Sequence, residues 1–184
     1  MKRFTLVPAL AVICAMPLVP LSAEDPESQS TAAVESLKAL LVQQKLDAVA
    51  ARDPEQPGRY VAAFYMPGSQ LLVVSAPYAV PAAIDKKIAA GQYMDAYVDL
   101  QSVGDHSGHF FVVDMQADGL RKALKLDEAF DSTVIEGAAP VAFDGRWQAQ
   151  KLTEEQYNAR FAQDDQRYAR MLGILRAALT RKTT

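Results

Sequence analysis

Four polar side chains in one short segment form the best candidate binding site in the sequence. Tyr93, Asp95, Tyr97 and Asp99 alternate with apolar residues. In a β-strand this alternation places all four side chains on one face. Tyrosine rings supply flat contact area with a polar tip, and two carboxylates could bind a cation or share a proton. The pattern therefore predicts a small-ligand-binding surface. The alternative is the ordinary solvent-facing side of an antiparallel sheet.

The spacing of the two carboxylates excludes one enzymatic use of this face. On a straight strand with a rise of about 3.3 Å per residue, Asp95 and Asp99 lie about 13 Å apart. The paired carboxyl groups of glycosidases are separated by roughly 5 to 9.5 Å. A glycosidase centre built on this strand alone is therefore excluded.

Two histidines, His106 and His109, are the only ones in the chain. A zinc site needs three or four ligands. Because Cys14 is the only cysteine, carboxylates such as Asp99 or Asp114 would have to complete such a site. Glycines around the first histidine favour a turn, so the alternative is a polar hairpin tip exposed to solvent. We predict no metal centre here.

Asp114 interrupts an otherwise apolar strand pattern, on the face it shares with Phe110 and Val112. A carboxylate that faces a core must be paired or neutral. Pairing with Arg121, or a position at the sheet edge, would explain it structurally. A functional acid is the alternative interpretation, since perturbed acids also mark sites.

The common catalytic and nucleotide-binding motifs are absent from the sequence. It contains no Gly-x-Ser-x-Gly segment, no phosphate-binding glycine loop and no dinucleotide-binding fingerprint. The arginines of the C-terminal segment alternate with acidic residues, and the net charge is −3. This pattern is typical of a solvated helix face, and we expect no nucleic-acid partner. We expect a non-enzymatic protein, with catalysis left open.

Residues 1–23 have the pattern of a cleaved secretory signal. Two basic residues precede an apolar run, and Ala23 places a small residue before two acidic ones. Three prolines interrupt the run, whereas a spanning helix needs about 20 apolar residues. We therefore expect a periplasmic or secreted protein with no cysteine and no membrane span after cleavage, and a disordered leader over 24–30. A membrane anchor, or a lipid anchor on Cys14, is the alternative.

Residues 31–184 are predicted to form a single α+β domain. The expected elements are a helix over 32–53, strands over 59–66 and 70–76, a short helix after Pro81, strands over 93–100 and 109–115, a partly helical segment over 120–131, short strands over 132–136 and 140–143, and a long helix from Thr153. Turn residues at the strand junctions favour antiparallel pairing. We predict an antiparallel sheet or a partly closed, split-barrel-like barrel, packed by the N-terminal helix and the long C-terminal helix.

From residue 31 to 145 the order of these elements resembles that of the flavin-binding split barrels related to pyridoxamine phosphate oxidases. The resemblance implies a flavin whose phosphate is held by basic residues on or after the second strand. In this chain no Lys or Arg occurs between Met66 and Asp85, and the nearest are Lys86 and Lys87.

Two functional expectations follow. The leading one is an exported domain without a cofactor that binds a small molecule or a protein partner. The alternative is a flavin- or haem-binding split-barrel protein or enzyme. A homodimer is a further alternative for the assembled state.

Overall fold

The computed structural model describes residues 28–77, 81–102, 109–123, 128–135 and 138–181. Within them the helices are α1 (Gln29–Gln44), α2 (Pro81–Ala89), α3 (Tyr93–Ser102) and α4 (Glu154–Arg181). The strands are β1 (Ala48–Arg52), β2 (Arg59–Met66), β3 (Gln70–Pro77), β4 (Phe110–Met115), β5 (Ser132–Ile135) and β6 (Val141–Ala142). The predicted signal over 1–23 and the first residues of the predicted leader lie outside the described residues.

The six described strands form one antiparallel sheet in the order β1-β2-β3-β4-β5-β6. β1 and β6 form its two edges, so the sheet is open and does not close into a barrel. The predicted α+β domain with an antiparallel sheet is therefore confirmed, in the open form rather than the split-barrel form.

Helices pack on both faces of the sheet. α1 and α4 cover one face, where side chains such as Val61 and Ala63 point. α2 and α3 cover the other face over the first three strands, where Tyr60 and Ala62 point. Because both faces are buried there, β2 and β3 are apolar along nearly their whole length.

The predicted helix over 32–53 is wrong in its second half. α1 ends at Gln44 because Lys45 adopts the left-handed conformation, with φ 55°. β1 follows, and its Ala48 and Ala50 belong to the core beneath α3. Alanine favours helices, but here packing against the sheet and α3 overrides that weak preference.

The predicted strand over 93–100 is also wrong, because these residues form α3. The buried residues of this helix are Tyr93, Ala96, Tyr97 and Leu100, which are spaced three and four apart and form one helical stripe. The expected hairpin with residues 109–115 is absent, since β4 pairs with β3 and β5 instead.

α4 begins with the predicted capping box. The Gln156 N–H donates to Thr153 Oγ1 at 3.1 Å, and the Thr153 N–H donates to Gln156 Oε1 at 2.9 Å. The described part of 120–131 contains no helix, and residues 124–127 lie outside the described residues. None of the described helices combines the length and the apolar character that a membrane crossing requires.

Candidate functional site

The four residues predicted to form a ligand-binding face do not share a face in the structure. Tyr93 and Tyr97 are buried against the sheet, and the Tyr97 ring lies 5.9 Å from that of Phe64. Asp95 is exposed, and Asp99 is half-buried in an ion pair with Lys87. A helix turns by about 100° per residue, so alternate residues diverge rather than align.

Burial also limits the chemistry of the buried tyrosines. It raises the pKa of Tyr97 to about 12, so its hydroxyl stays protonated at neutral pH. That hydroxyl has no hydrogen-bond partner among the described residues. The α3 face therefore supplies core packing in this structure.

The histidine pair is only partly described. His106 lies outside the described residues, whereas His109 is 7% exposed and directly precedes β4. Within the described ranges, no group of three or more histidine, cysteine or acidic residues is placed to hold a metal ion.

A pocket of about 560 Å³ lies where the start of α1, the segment after β4 and the first half of α4 meet. Pockets of roughly 300 to 1,000 Å³ accommodate small organic ligands. The lining residues come from three separate parts of the chain: Ser28, Gln29 and Thr31; Leu120, Arg121, Lys122, Ala123, Glu128, Ala129 and Asp131; and Asn158, Phe161, Ala162 and Asp165.

Apolar side chains form much of the pocket wall. Leu120 is fully buried. Phe161 packs edge-to-face on Phe143, with ring centroids 5.1 Å apart and an angle of 90° between the rings. The Lys122 ammonium lies 5.2 Å from the Phe161 ring centroid and 3.4 Å from Asn158 Oδ1. A ligand in this pocket would contact an aromatic face beside a positive charge.

Asp165 ties the start of α1 to α4. Its Oδ1 accepts hydrogen bonds from Ser28 Oγ at 2.5 Å and the Ser30 N–H at 3.1 Å, and its Oδ2 accepts the Gln29 N–H at 2.7 Å. A carboxylate at a helix N-terminus satisfies free N–H groups and is stabilised by the helix dipole. The Leu120 N–H in turn donates to Ser30 Oγ at 2.8 Å. These bonds hold two walls of the pocket together.

Asp114 and Asp131 are both buried, and Asp131 also lines the pocket. Asp114 accepts hydrogen bonds from the N–H groups of Asp118 at 3.1 Å and Gly119 at 3.0 Å, and from Tyr168 Oη at 2.9 Å. Asp131 accepts the N–H groups of Met115 and Arg121, both at 2.7 Å. The face that Asp114 shares with Phe110 and Val112 is therefore a core face, because all three residues are buried.

Of the two structural explanations considered for Asp114, pairing with Arg121 is wrong. The Arg121 guanidinium contacts Asp118, at 2.9 Å, and Gln116. Among the described residues, neither Asp114 nor Asp131 has a lysine, arginine or histidine within ion-pair distance. Backbone N–H groups and a tyrosine hydroxyl therefore stabilise the two carboxyl groups.

Burial without a cation raises the proton affinity of both groups. Burial raises the pKa of Asp131 to about 8, and the neighbouring Asp114 charge adds to this effect. Burial raises the pKa of Asp114 to about 6, against the opposing effect of its hydrogen bonds. At neutral pH the two carboxyl groups therefore retain a proton between them.

Most residues of this pocket could not be predicted from the sequence. Its residues form no motif, because they come from segments about 90 and 40 residues apart along the chain. The one available signal was Asp114, an acid on an apolar strand face. No family model matches the chain, and no curated protein or solved structure shows significant similarity to it.

Proposed function

We propose that this chain is an exported small-molecule-binding protein whose ligand occupies the pocket between α1, residues 120–123 and 128–131, and α4. The observation that carries the proposal is the pocket itself, about 560 Å³ in volume and walled by Leu120, Phe161 and Ala162. Its walls are positioned by the Asp165 and Ser30 hydrogen bonds, and such pre-formed apolar concavities are where small ligands bind.

The polar groups of the pocket support binding rather than group transfer. Ser28 lines the pocket, and its Oγ donates to Asp165, whose oxygens also accept the N–H groups of Gln29 and Ser30. None of the described residues that line the pocket is a histidine or a cysteine. Asp165 therefore caps the start of α1, and the Ser28 hydroxyl is one of the donors that hold this cap in place. A ligand with an apolar, ring-sized body fits these walls.

Export is supported by the sequence pattern of residues 1–23. Cleavage after Ala23 would leave every described residue in the mature chain, because the described residues begin at Ser28. The expected N-terminus of protein recovered from outside the cytoplasm is Glu24, as read by N-terminal sequencing. Recovery of the protein only from the cytoplasm, with Met1 or Lys2 at its start, would contradict export.

The binding proposal is tested with N-phenyl-1-naphthylamine, an uncharged aromatic probe that fluoresces in apolar surroundings. We expect saturable fluorescence enhancement with the purified protein. Ala162→Trp fills the pocket with an indole and is expected to weaken probe binding by roughly tenfold or more, since one well-placed apolar group is worth about 1–3 kcal/mol.

Ala159→Trp is the matched control. Ala159 is exposed on the same helix, one turn away, and does not line the pocket. This variant is expected to bind the probe as the parent protein does. Equal affinity for the two tryptophan variants, or no saturable binding by the parent protein, would refute the pocket as the ligand site.

A further inference from the structure

Asp131 has two roles in the pocket. Its side chain lines the cavity, and its Oδ2 accepts the N–H of Arg121, which also lines it. Its Oδ1 accepts the N–H of Met115 at the end of β4. Asp131 therefore fastens the pocket wall at Arg121 to the sheet.

Asp114 lies beside Asp131 on the neighbouring strand. In the antiparallel register of β4 and β5, Val113 pairs with Ser132. Asp114 follows Val113 and Asp131 precedes Ser132, so the same register places Asp114 opposite Asp131. Two like charges at neighbouring buried positions, without a cation, repel each other, and the Asp114 charge raises the pKa of Asp131 for this reason. A single proton removes most of that repulsion.

The charged groups on the surrounding elements do not neutralise the pair. From α4, Tyr168 donates to Asp114, whereas Asp164 is paired with Arg160 and Asp165 caps α1. Arg167 of the same helix lies over the Phe110 ring.

α1 and the turn after β4 contribute charges of both signs near this pair. From α1, Lys38 pairs with Glu35 and donates to the Ala117 carbonyl. From the turn, Asp118 is paired with Arg121. The cations of these elements are thus engaged with other groups.

We propose that a proton held by Asp114 and Asp131 is required for ligand binding in the pocket, so that binding weakens when the pair loses this proton to solvent. The inference rests on the proposed binding function. With both carboxylates charged, their repulsion pushes Asp131 away from Asp114. Because Asp131 holds the Arg121 N–H, this movement displaces the pocket wall at Arg121. Burial places the loss of this last proton near pH 8, within the range of natural environments.

The test is the affinity for N-phenyl-1-naphthylamine between pH 5.5 and pH 9, a range over which the probe does not change charge. We expect the affinity to fall by about tenfold between pH 6 and pH 9, since one linked proton can change affinity by up to about tenfold per pH unit. Calorimetry at pH 8 in two buffers of different ionisation enthalpy should show proton uptake on binding.

Two variants separate this pair from other titrating groups. Asp114→Asn removes the repulsion and keeps one acceptor oxygen, so its affinity should be nearly independent of pH. Asp47→Asn removes an exposed carboxylate elsewhere and should keep the parent pH profile. If Asp114→Asn does not fold, proton uptake by the parent protein still decides the inference.

The outcomes distinguish the two proposals. Probe binding that is constant from pH 6 to pH 9, with no proton uptake, would overturn the role of the carboxyl pair and leave the pocket function intact. Absence of probe binding at every pH would overturn the binding function, and this inference with it.

Discussion

Buried aspartates of this domain differ in proton affinity because their partners differ. Asp53 accepts hydrogen bonds from both Arg170 Nη atoms at 2.8 Å, as well as from backbone N–H groups. Burial alone would raise the pKa of Asp53, but these bonds hold it below its usual value. Asp131 is buried without such a cation, and its pKa is raised to about 8. Burial alone therefore does not set the charge of a carboxyl group.

Asp53→Ala is expected to destabilise the domain by about 2–4 kcal/mol, because it removes the buried partner of Arg170 and leaves two N–H groups without their acceptor. Because the pKa of Asp53 is lowered in the folded state, its contribution is present above about pH 4 and is lost as the pH falls below that value. Urea unfolding at pH 7 and pH 3 measures both effects.

The control is Glu55→Ala. Glu55 contacts the same arginine but is exposed, so we expect a cost below about 1 kcal/mol. Equal destabilisation by the two variants would contradict the distinction between the buried and the exposed partner.

The opposite pH dependence is expected for Asp131. Folding raises the pKa of Asp131. The contribution of its proton to the free energy of unfolding is therefore largest below about pH 4 and is lost as the pH rises toward 8. The slope is at most about 1.4 kcal/mol per pH unit for one proton.

Asp131→Asn keeps one acceptor oxygen and removes the titration. Its destabilisation relative to the parent protein should therefore shrink as the pH rises from 5 to 9, as measured by urea unfolding. A stability difference that grows with pH would contradict the raised proton affinity of Asp131.

At the level of elements, the turn after β4 packs closely against the backbone at the start of α1. Gly119 has φ 98°, and a Cβ placed there would lie 2.7 Å from both Cα and N of Thr31. The rigid backbone of α1 therefore leaves room only for glycine. This close approach also brings the Leu120 N–H to Ser30 Oγ, which closes one side of the pocket.

Gly119→Ala is expected to cost about 2–4 kcal/mol, from the strained φ together with the backbone clash. Gly68→Ala is the matched control, because Gly68 also has positive φ, at 73°, but a Cβ there meets open space. We expect that variant to cost about 1 kcal/mol. Equal costs in urea unfolding would show that the contact with α1 does not constrain this position.

The strands β2, β3 and β4 and the capped start of α4 were predicted from the sequence because local patterns determine them. α3 was predicted as a strand because its polar residues alternate. Its buried residues, Tyr93, Ala96, Tyr97 and Leu100, instead follow the helical period. β1 was missed because its alanines favour a helix locally, whereas packing under α3 places them in the sheet. In both cases the sequence carried two patterns, and tertiary packing selected one.

At the level of the whole molecule, the candidate pocket arises from assembly rather than from any one segment. Its walls come from the start of α1, residues 120–123 and 128–131, and α4, and are joined by Ser30 and Asp165. Sequence patterns show the periodicity of neighbouring residues, but they do not show which distant segments come into contact. This is why the pocket could not be predicted, although the elements around it largely could.

The central claim is that a small molecule binds between α1 and α4, and amide chemical-shift mapping by NMR tests it most directly. Titration of the ¹⁵N-labelled protein with N-phenyl-1-naphthylamine at pH 6 should shift amides of residues 28–31, 120–123, 128–131 and 158–165. Amides of α2 and α3, on the opposite face of the sheet, should remain in place. Shifts centred on α2 and α3, or no saturable shifts at all, would contradict the account.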